Sequence, residues 1–358
     1  MVISCSDDVG WNNKEPISYR DLAFDEELYG TGQNGFSEIF STYTGVNASN
    51  DISEKEILEN QHLMHGSGVA LGDVNGDGLI DIYIPRIKED NVLYINKGEW
   101  QFEDFTLAAG VAAPNRYSNG SVFADVDGDR DLDLIVTALG GPNSVFINDG
   151  NGIFAEKKLE SKLNNPGSTS SALADVDNDG DLDLYITNYK RKAMRDSLPP
   201  PAISFDNTLY ESPDGKWEVV PPFNREYEAE VKGDKLFRFE FGEVDQFYFN
   251  DGKGNFNLID ITKENFYSVD GGPIDSHLRD WGLVAQFRDM NNDGHPDIYI
   301  CNDFESPDRI WINNGDGSFS EIEKTAVRHT SNSSMSVDFS DLNKDGYVDF
   351  FVSDMLSQ

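Results

Sequence analysis

Apolar residues gather in five triplets: Ile82-Tyr83-Ile84, Leu134-Ile135-Val136, Leu184-Tyr185-Ile186, Ile298-Tyr299-Ile300 and Phe350-Phe351-Val352. Runs that are continuous rather than alternating, and rich in β-branched and aromatic residues, predict strands covered on both faces. Upstream of each triplet an apolar residue (Leu71, Phe123, Leu173, Phe287 or Phe339) marks the end of another strand, so the polar stretch between joins two strands. A second pattern follows most triplets: "NVLYINKGEWQF" (91–102), "NSVFINDGNGIF" (143–154), "QFYFNDGKGNF" (246–256) and "RIWINNGDGSF" (309–319). Alternating apolar residues, a turn containing glycine and then an aromatic residue predict a β-hairpin whose turn requires positive φ. "NTLYESPDGKWEV" (207–219) is a weaker copy, and "GQNGFSEI" (32–39) resembles a closing hairpin.

The polar stretches are themselves one repeated nonapeptide: "DVNGDGLID", "DVDGDRDLD", "DVDNDGDLD", "DMNNDGHPD" and "DLNKDGYVD", beginning at Asp73, Asp125, Asp175, Asp289 and Asp341. Their spacing is 52, 50, 114 and 52 residues. A unit of about 50 residues with four strands and no helical periodicity predicts an all-β fold, a β-propeller of four-stranded blades. A β-solenoid needs shorter repeats and stacked sandwiches need longer ones. The 114-residue gap is expected to hide a unit without an acidic loop, so about six units are readable and the last is incomplete. Residues 1–28 are expected to be a tail or linker and 29–358 the propeller, with an insertion or loop-less blade at 187–245.

Charge narrows the partners. The 358 residues carry 28 Lys+Arg against 65 Asp+Glu, a formal net charge of -37, which disfavours nucleic acid and anionic membranes and favours cations. Two cysteines, Cys5 and Cys301, cannot frame a disulfide scaffold, and no CxxC pair suggests zinc or redox chemistry. No apolar run is long enough to span a bilayer. The opening "MVISCSDD" resembles the cleavage end of a bacterial lipoprotein signal, which would make Cys5 a lipid anchor outside the cytoplasm; the alternative is an incidental cysteine in a tail.

In D-x-[DN]-x-D-x-x-x-D, oxygens at positions 1, 3, 5 and 9, with the carbonyl of position 7, suit the oxygen shell of calcium better than the strict octahedron of magnesium. The candidate metal ligands are Asp73, Asn75, Asp77 and Asp81; Asp125, Asp127, Asp129 and Asp133; Asp175, Asp177, Asp179 and Asp183; Asp289, Asn291, Asp293 and Asp297; and Asp341, Asn343, Asp345 and Asp349. Position 6 is glycine except at Arg130, where a left-handed residue costs about 1 kcal/mol, so the second of the five loops is the weakest candidate. EF-hands are excluded because position 12 is always aliphatic. A calcium loop repeated in every blade is expected to be a structural staple, since a reaction centre would occur once.

"GSGVALGDVNGDGLIDIYI" and "NGSVFADVDGDRDLDLIVTALGG" resemble the FG-GAP or VCBS repeats of integrin-α-like propellers, and together with the "NDGNGIF" hairpins they look most like the family related to cartilage acidic protein, whose members often carry an ASPIC/UnbV domain. The resemblance covers roughly residues 30–356. It implies a seven-bladed propeller, calcium between the first two strands of blades, an extracellular or cell-surface location, and binding or adhesion through a protein or polysaccharide ligand. The chain ends soon after the fifth triplet, as expected of a fragment; ring closure by the 32–39 hairpin is the alternative.

Other candidates are fewer. "NYKRKAMRDSLPPP" groups Lys190, Arg191, Lys192 and Arg195 in an acidic chain, either a contact for an acidic polymer or a solvated insertion. His62 and His65 lack the glutamate of a zinc protease motif, and His277, Asp280 and Trp281 are expected to be structural. No nucleophile elbow, P-loop or dinucleotide fingerprint is present. The alternative to a binding module is a polysaccharide lyase or hydrolase on the same scaffold, whose carboxylate pair cannot be picked from 65 acids.

Overall fold

A computed structural model describes residues 2–4 and 39–355, apart from 164–165, 275–277, 305, 324–325, 328–329 and 332. Cys5, most of the 32–39 hairpin and His277 therefore lie outside the described residues. Three four-stranded antiparallel sheets follow one another as blades. The first is Ala70–Gly72, Asp81–Ile84, Val92–Asn96 and Phe102–Asp104. The second is Ser118–Ala124, Asp133–Ala138, Ser144–Asn148 and Phe154–Lys158. Blade three is Ser168–Ala174, Asp183–Asn188, Gln246–Asn250 and Phe256–Ile259.

The fourth blade, Gly282–Arg288, Asp297–Asn302, Arg309–Asn313 and Phe319–Glu321, gains a parallel edge strand, Phe266–Tyr267. Blade five has Ser334–Ser340 and Asp349–Asp354, along which the backbone of Val2–Ser4 runs antiparallel. First strands of successive blades lie side by side: the Gly68 N–H donates to the Asn119 carbonyl at 2.7 Å, the Asn119 amide to the Ser168 carbonyl at 2.8 Å, and the Thr169 hydroxyl to the Gly282 carbonyl at 2.8 Å. This is a β-propeller, and its apolar core lies between blades. Tyr83 and Leu93 pack on Leu134 and Phe146, and Tyr185 and Phe247 on Ile298 and Trp311. The triplets of blades two, three and four are buried on both faces because each of these blades has a neighbour on either side, whereas in the first and fifth blades Ile82 and Ile84 are half-buried and Phe351 is 51% exposed.

The 114-residue gap hides no blade. "QFYFNDGKGNF" supplies the outer two strands of blade three, and residues 189–245 are an insertion between its second and third strands. Within the insertion Leu209–Glu211 pairs with Trp217–Val219, and Tyr227–Lys232 with Lys235–Glu240. The 207–219 copy is thus a small hairpin of the insertion. No described helix is long and apolar enough to cross a membrane.

Candidate metal centres in the acidic loops

Each nonapeptide is the loop between the first and second strands of a blade. Four positions share the work. The carboxylate of position 1 gathers the loop backbone: Asp73 accepts the N–H groups of Asp77 (3.1 Å) and Gly78 (2.8 Å), and Asp175, Asp289 and Asp341 do the same in their loops. Position 5 caps the next turn, as where Asp179 accepts from the Asp181 N–H at 3.0 Å. Position 6 is left-handed throughout, φ +83° at Gly78 and +78° at Arg130, where the side chain tolerates a strained backbone. Position 4 is left-handed too, at Gly76, Gly128, Asn178, Asn292 and Lys344, a requirement the sequence reading missed although glycine and asparagine there signal it.

Position 9 opens the second strand and is no more than 2% exposed in any loop. Asp183 is typical: one oxygen accepts the Val176 N–H at 3.2 Å and the other the Asn250 N–H at 3.0 Å. Burial outweighs these bonds and pushes its carboxyl up to about 7; the same cause pushes Asp133 and Asp297 to about 6 and raises Asp81.

Carboxylates converge most closely in the second and third loops. Oxygens of Asp125, Asp127 and Asp133 lie within 4.8 Å of one another, as do those of Asp175, Asp177 and Asp183. The Oδ1 atoms of Asp127 and Asp177 are buried and accept no hydrogen bond. Both carboxyls are raised, first by desolvation and then by the neighbouring Asp129 or Asp179. Orphaned anionic oxygens facing other carboxylates fit a cation, which would be held by positions 1, 3 and 9. Arg130, which set the second loop apart in sequence, leaves this cluster intact. In the first, fourth and fifth loops position 3 is asparagine, and its amide donates to position 5, at 3.2 Å from Asn75 to Asp77, 2.8 Å from Asn291 to Asp293 and 3.0 Å from Asn343 to Asp345. An internal donor there relieves part of the repulsion that a second carboxylate leaves standing.

The loops also join blades. The hairpin asparagine that donates its N–H to position 9 sends its side-chain amide to the preceding blade's acidic loop: Asn148 to the Val74 carbonyl (2.8 Å), Asn250 to Val126 (2.7 Å) and Asn313 to Val176 (2.8 Å). A cation ordering one loop therefore orders the carbonyl on which the next blade hangs.

Lys190, His62, His65, Asp280 and Trp281 are held by the structure around them, whereas Arg195 is exposed. Lys190 is buried, its Nζ 2.9 Å from both Glu226 and Glu240. His62 is buried, its Nδ1 2.7 Å from the Lys190 carbonyl, and its ring stacks on His65 at 5.5 Å. Asp280 pairs with Arg309, and the Trp281 indole donates to the Glu240 carbonyl at 2.9 Å.

A family model for the FG-GAP-like repeat matches residues 73–136, 125–186 and 289–352, each spanning two consecutive acidic loops and their strands. This chain carries FG-GAP-like repeats. Cartilage acidic protein 1 of Homo sapiens is 28% identical over 82 residues, 23% of this chain and 12% of that protein's length. The Xenopus tropicalis protein of the same name matches with the same identity and span, covering 13% of its length. Among solved structures, an Agrocybe aegerita lectin specific for non-reducing terminal N-acetylglucosamine has a TM-score of 0.32 at 17% identity, covering 80% of this chain and 74% of that one. CoXyl43, a GH43 β-xylosidase/α-arabinofuranosidase from a compost microbial metagenome, has a TM-score of 0.38 at 13% identity, covering 82% and 92%. The V. cholerae biofilm matrix protein Bap1 has a TM-score of 0.27 at 16% identity, covering 76% and 40%. Likeness this remote says nothing about ligand or activity.

Proposed function

We propose that these FG-GAP repeats form a calcium-stapled propeller that works outside the cell or on its surface as a binding or adhesion module for a protein or glycan. The observation that carries this is the pair of buried, donor-less oxygens of Asp127 and Asp177, each amid two further carboxylates. Hard oxygen donors in a flexible loop suit calcium, and extracellular modules bind it at about 10⁻⁴–10⁻³ M, the regime outside cells. When bound, calcium supplies positive charge and nothing reactive. Positions 1, 3 and 9 would hold it, while the position 9 carboxylate and the hairpin asparagine pass that order to the next blade. The loop's recurrence in all five blades supports a structural role over a catalytic one.

The experiment is a panel of extracellular glycans and matrix proteins presented to the calcium-loaded chain. Retained binding without product release is expected. Release of sugar products would favour a polysaccharide-active enzyme, and a panel with neither binding nor turnover would refute the binding module.

A further inference from the structure

Two guanidinium groups without an ion pair among the described residues, those of Arg195 and Arg238, line one cavity. It lies where the insertion meets the fourth blade and is lined by Arg195, Tyr227, Arg238, Glu240, Trp281 and Phe304, with a volume near 270 Å³. That is at the lower edge of the ~300–1,000 Å³ typical of small-ligand sites, room for a single ring. Second strands run away from the acidic loops, so the insertion, and the cavity with it, belongs to the opposite rim.

The cavity's charges are unequal in what they still lack. Glu240 is already committed, accepting from the Lys190 Nζ at 2.9 Å and the Met194 N–H at 2.7 Å. Arg238 is fixed by its surroundings, its Cζ 4.3 Å from the Tyr227 ring centre and 5.0 Å from that of Phe205. One of its nitrogens, Nη1, donates to the Ile203 carbonyl and the Thr208 hydroxyl, while Nε is buried with no acceptor. Its other terminal nitrogen, Nη2, makes no hydrogen bond among the described residues and leaves this cationic donor open to an acceptor that the chain does not supply. Arg195 is exposed beside it.

Phe304 adds an apolar wall. It is 38% exposed, its ring lies 5.1 Å from Trp281, and its backbone sits at φ +53°. Bulky side chains rarely adopt that left-handed conformation, and such strain concentrates at ligand sites. Here Asp303 holds it, accepting the Phe304 N–H at 2.7 Å.

We propose that this cavity binds the carboxylate-bearing pyranose of an anionic polysaccharide, its carboxylate on Arg238 and Arg195 and an apolar ring face on Phe304. This rests on the glycan-binding side of the module reading and supplies the class of sugar. A single-ring cavity with one aromatic wall favours a uronate over an acidic peptide.

The test measures binding of digalacturonate, its dimethyl ester and a glutamate-rich peptide to the calcium-loaded chain, with melting curves with and without chelator on the same samples. The acid is expected to bind about tenfold or more tightly than the ester, and Arg195→Gln and Arg238→Gln each to remove that preference. Arg195 is exposed, so its variant keeps the test decisive even where Arg238→Gln disturbs the insertion. Phe304→Gly, which suits the backbone, is expected to weaken acid and ester alike. Equal affinity for acid and ester, no binding of either, or tighter binding of the peptide would overturn the proposal. A chain that melts in a calcium-dependent way yet ignores digalacturonate would overturn this inference and leave the stapled propeller standing, whereas melting indifferent to calcium would remove the staple itself.

Discussion

Two demands meet on the carboxylate of Asp183. Its two backbone hydrogen bonds favour the ion, yet burial raises its pKa to about 7. In the metal-free protein the folded state therefore holds this proton over a range where the unfolded chain has lost it, and the contribution of Asp183 to stability falls as pH rises from about 4 to about 7. A bound calcium ion would remove that penalty. Melting of the chelated protein is expected to drop across this range, and melting of the calcium-loaded protein to be flatter; the reverse order would count against a cation beside Asp183. Asp177→Asn gives the third loop the asparagine of the first, fourth and fifth. It should raise the melting temperature of the metal-free protein and weaken that site's calcium affinity, opposite signs that calorimetry and melting read together.

Asp245 makes a similar case away from any metal. It is half-buried, accepting from the Tyr185 hydroxyl at 2.9 Å and the Asn188 N–H at 2.7 Å, and desolvation brings its carboxyl to about 7. Asn91 and Asn143 stand at the equivalent place in the first two blades, where Asn91 donates to the Tyr83 hydroxyl at 2.7 Å. Asp245→Asn is expected to raise stability at pH 8 and flatten its fall between about pH 4 and 7, read by urea unfolding at both ends of the range. Lower stability at pH 8 would contradict a strained, desolvated carboxylate.

Among elements, the hairpin strands hold the blades in register. The Asn250 amide reaches the Val126 carbonyl of the preceding blade, which also accepts the Gly254 N–H at 3.1 Å, so Asn250→Ala removes one of two inter-blade hydrogen bonds at a cost of about 0.5–1.5 kcal/mol, checked by chemical unfolding. The triplets and the acidic loops were legible because each is a local pattern with a local cause: burial on both faces, and oxygens at fixed spacing. The 114-residue gap was not, since a period counts residues and cannot tell a missing loop from residues inserted between two strands. Equally hidden were the inter-blade bonds, whose partners lie a whole blade apart. Their trace is nonetheless present in Asn91–Asn96, Asn143–Asn148, Asp245–Asn250 and Asp308–Asn313, an Asn or Asp and an Asn bracketing each third strand. One end fastens the strand at each rim: Asp308 accepts the Asn302 N–H at 3.0 Å, and Asn313 reaches Val176 at the other. Convergence at the second loop was hidden too, because Arg130 is visible in sequence while the direction of the Asp127 oxygen is not.

Over the whole molecule the two rims divide the labour. Acidic loops occupy one rim in every blade, and the insertion with its unpaired arginines stands on the other. A formal charge of -37 makes the metal-free chain self-repelling, so in the proposed reading ions at one rim would stabilise the ring and leave the opposite rim free to bind. The most direct measurement is a chelator series followed by calcium addition, with bound metal counted per chain and melting recorded on each sample. Calcium stapling predicts several bound ions, their loss on chelation with a lower melting temperature, and recovery of both on adding calcium but not magnesium. A chain that binds no calcium, or melts at the same temperature with and without it, would contradict the claim that ions in the acidic loops hold the blades together.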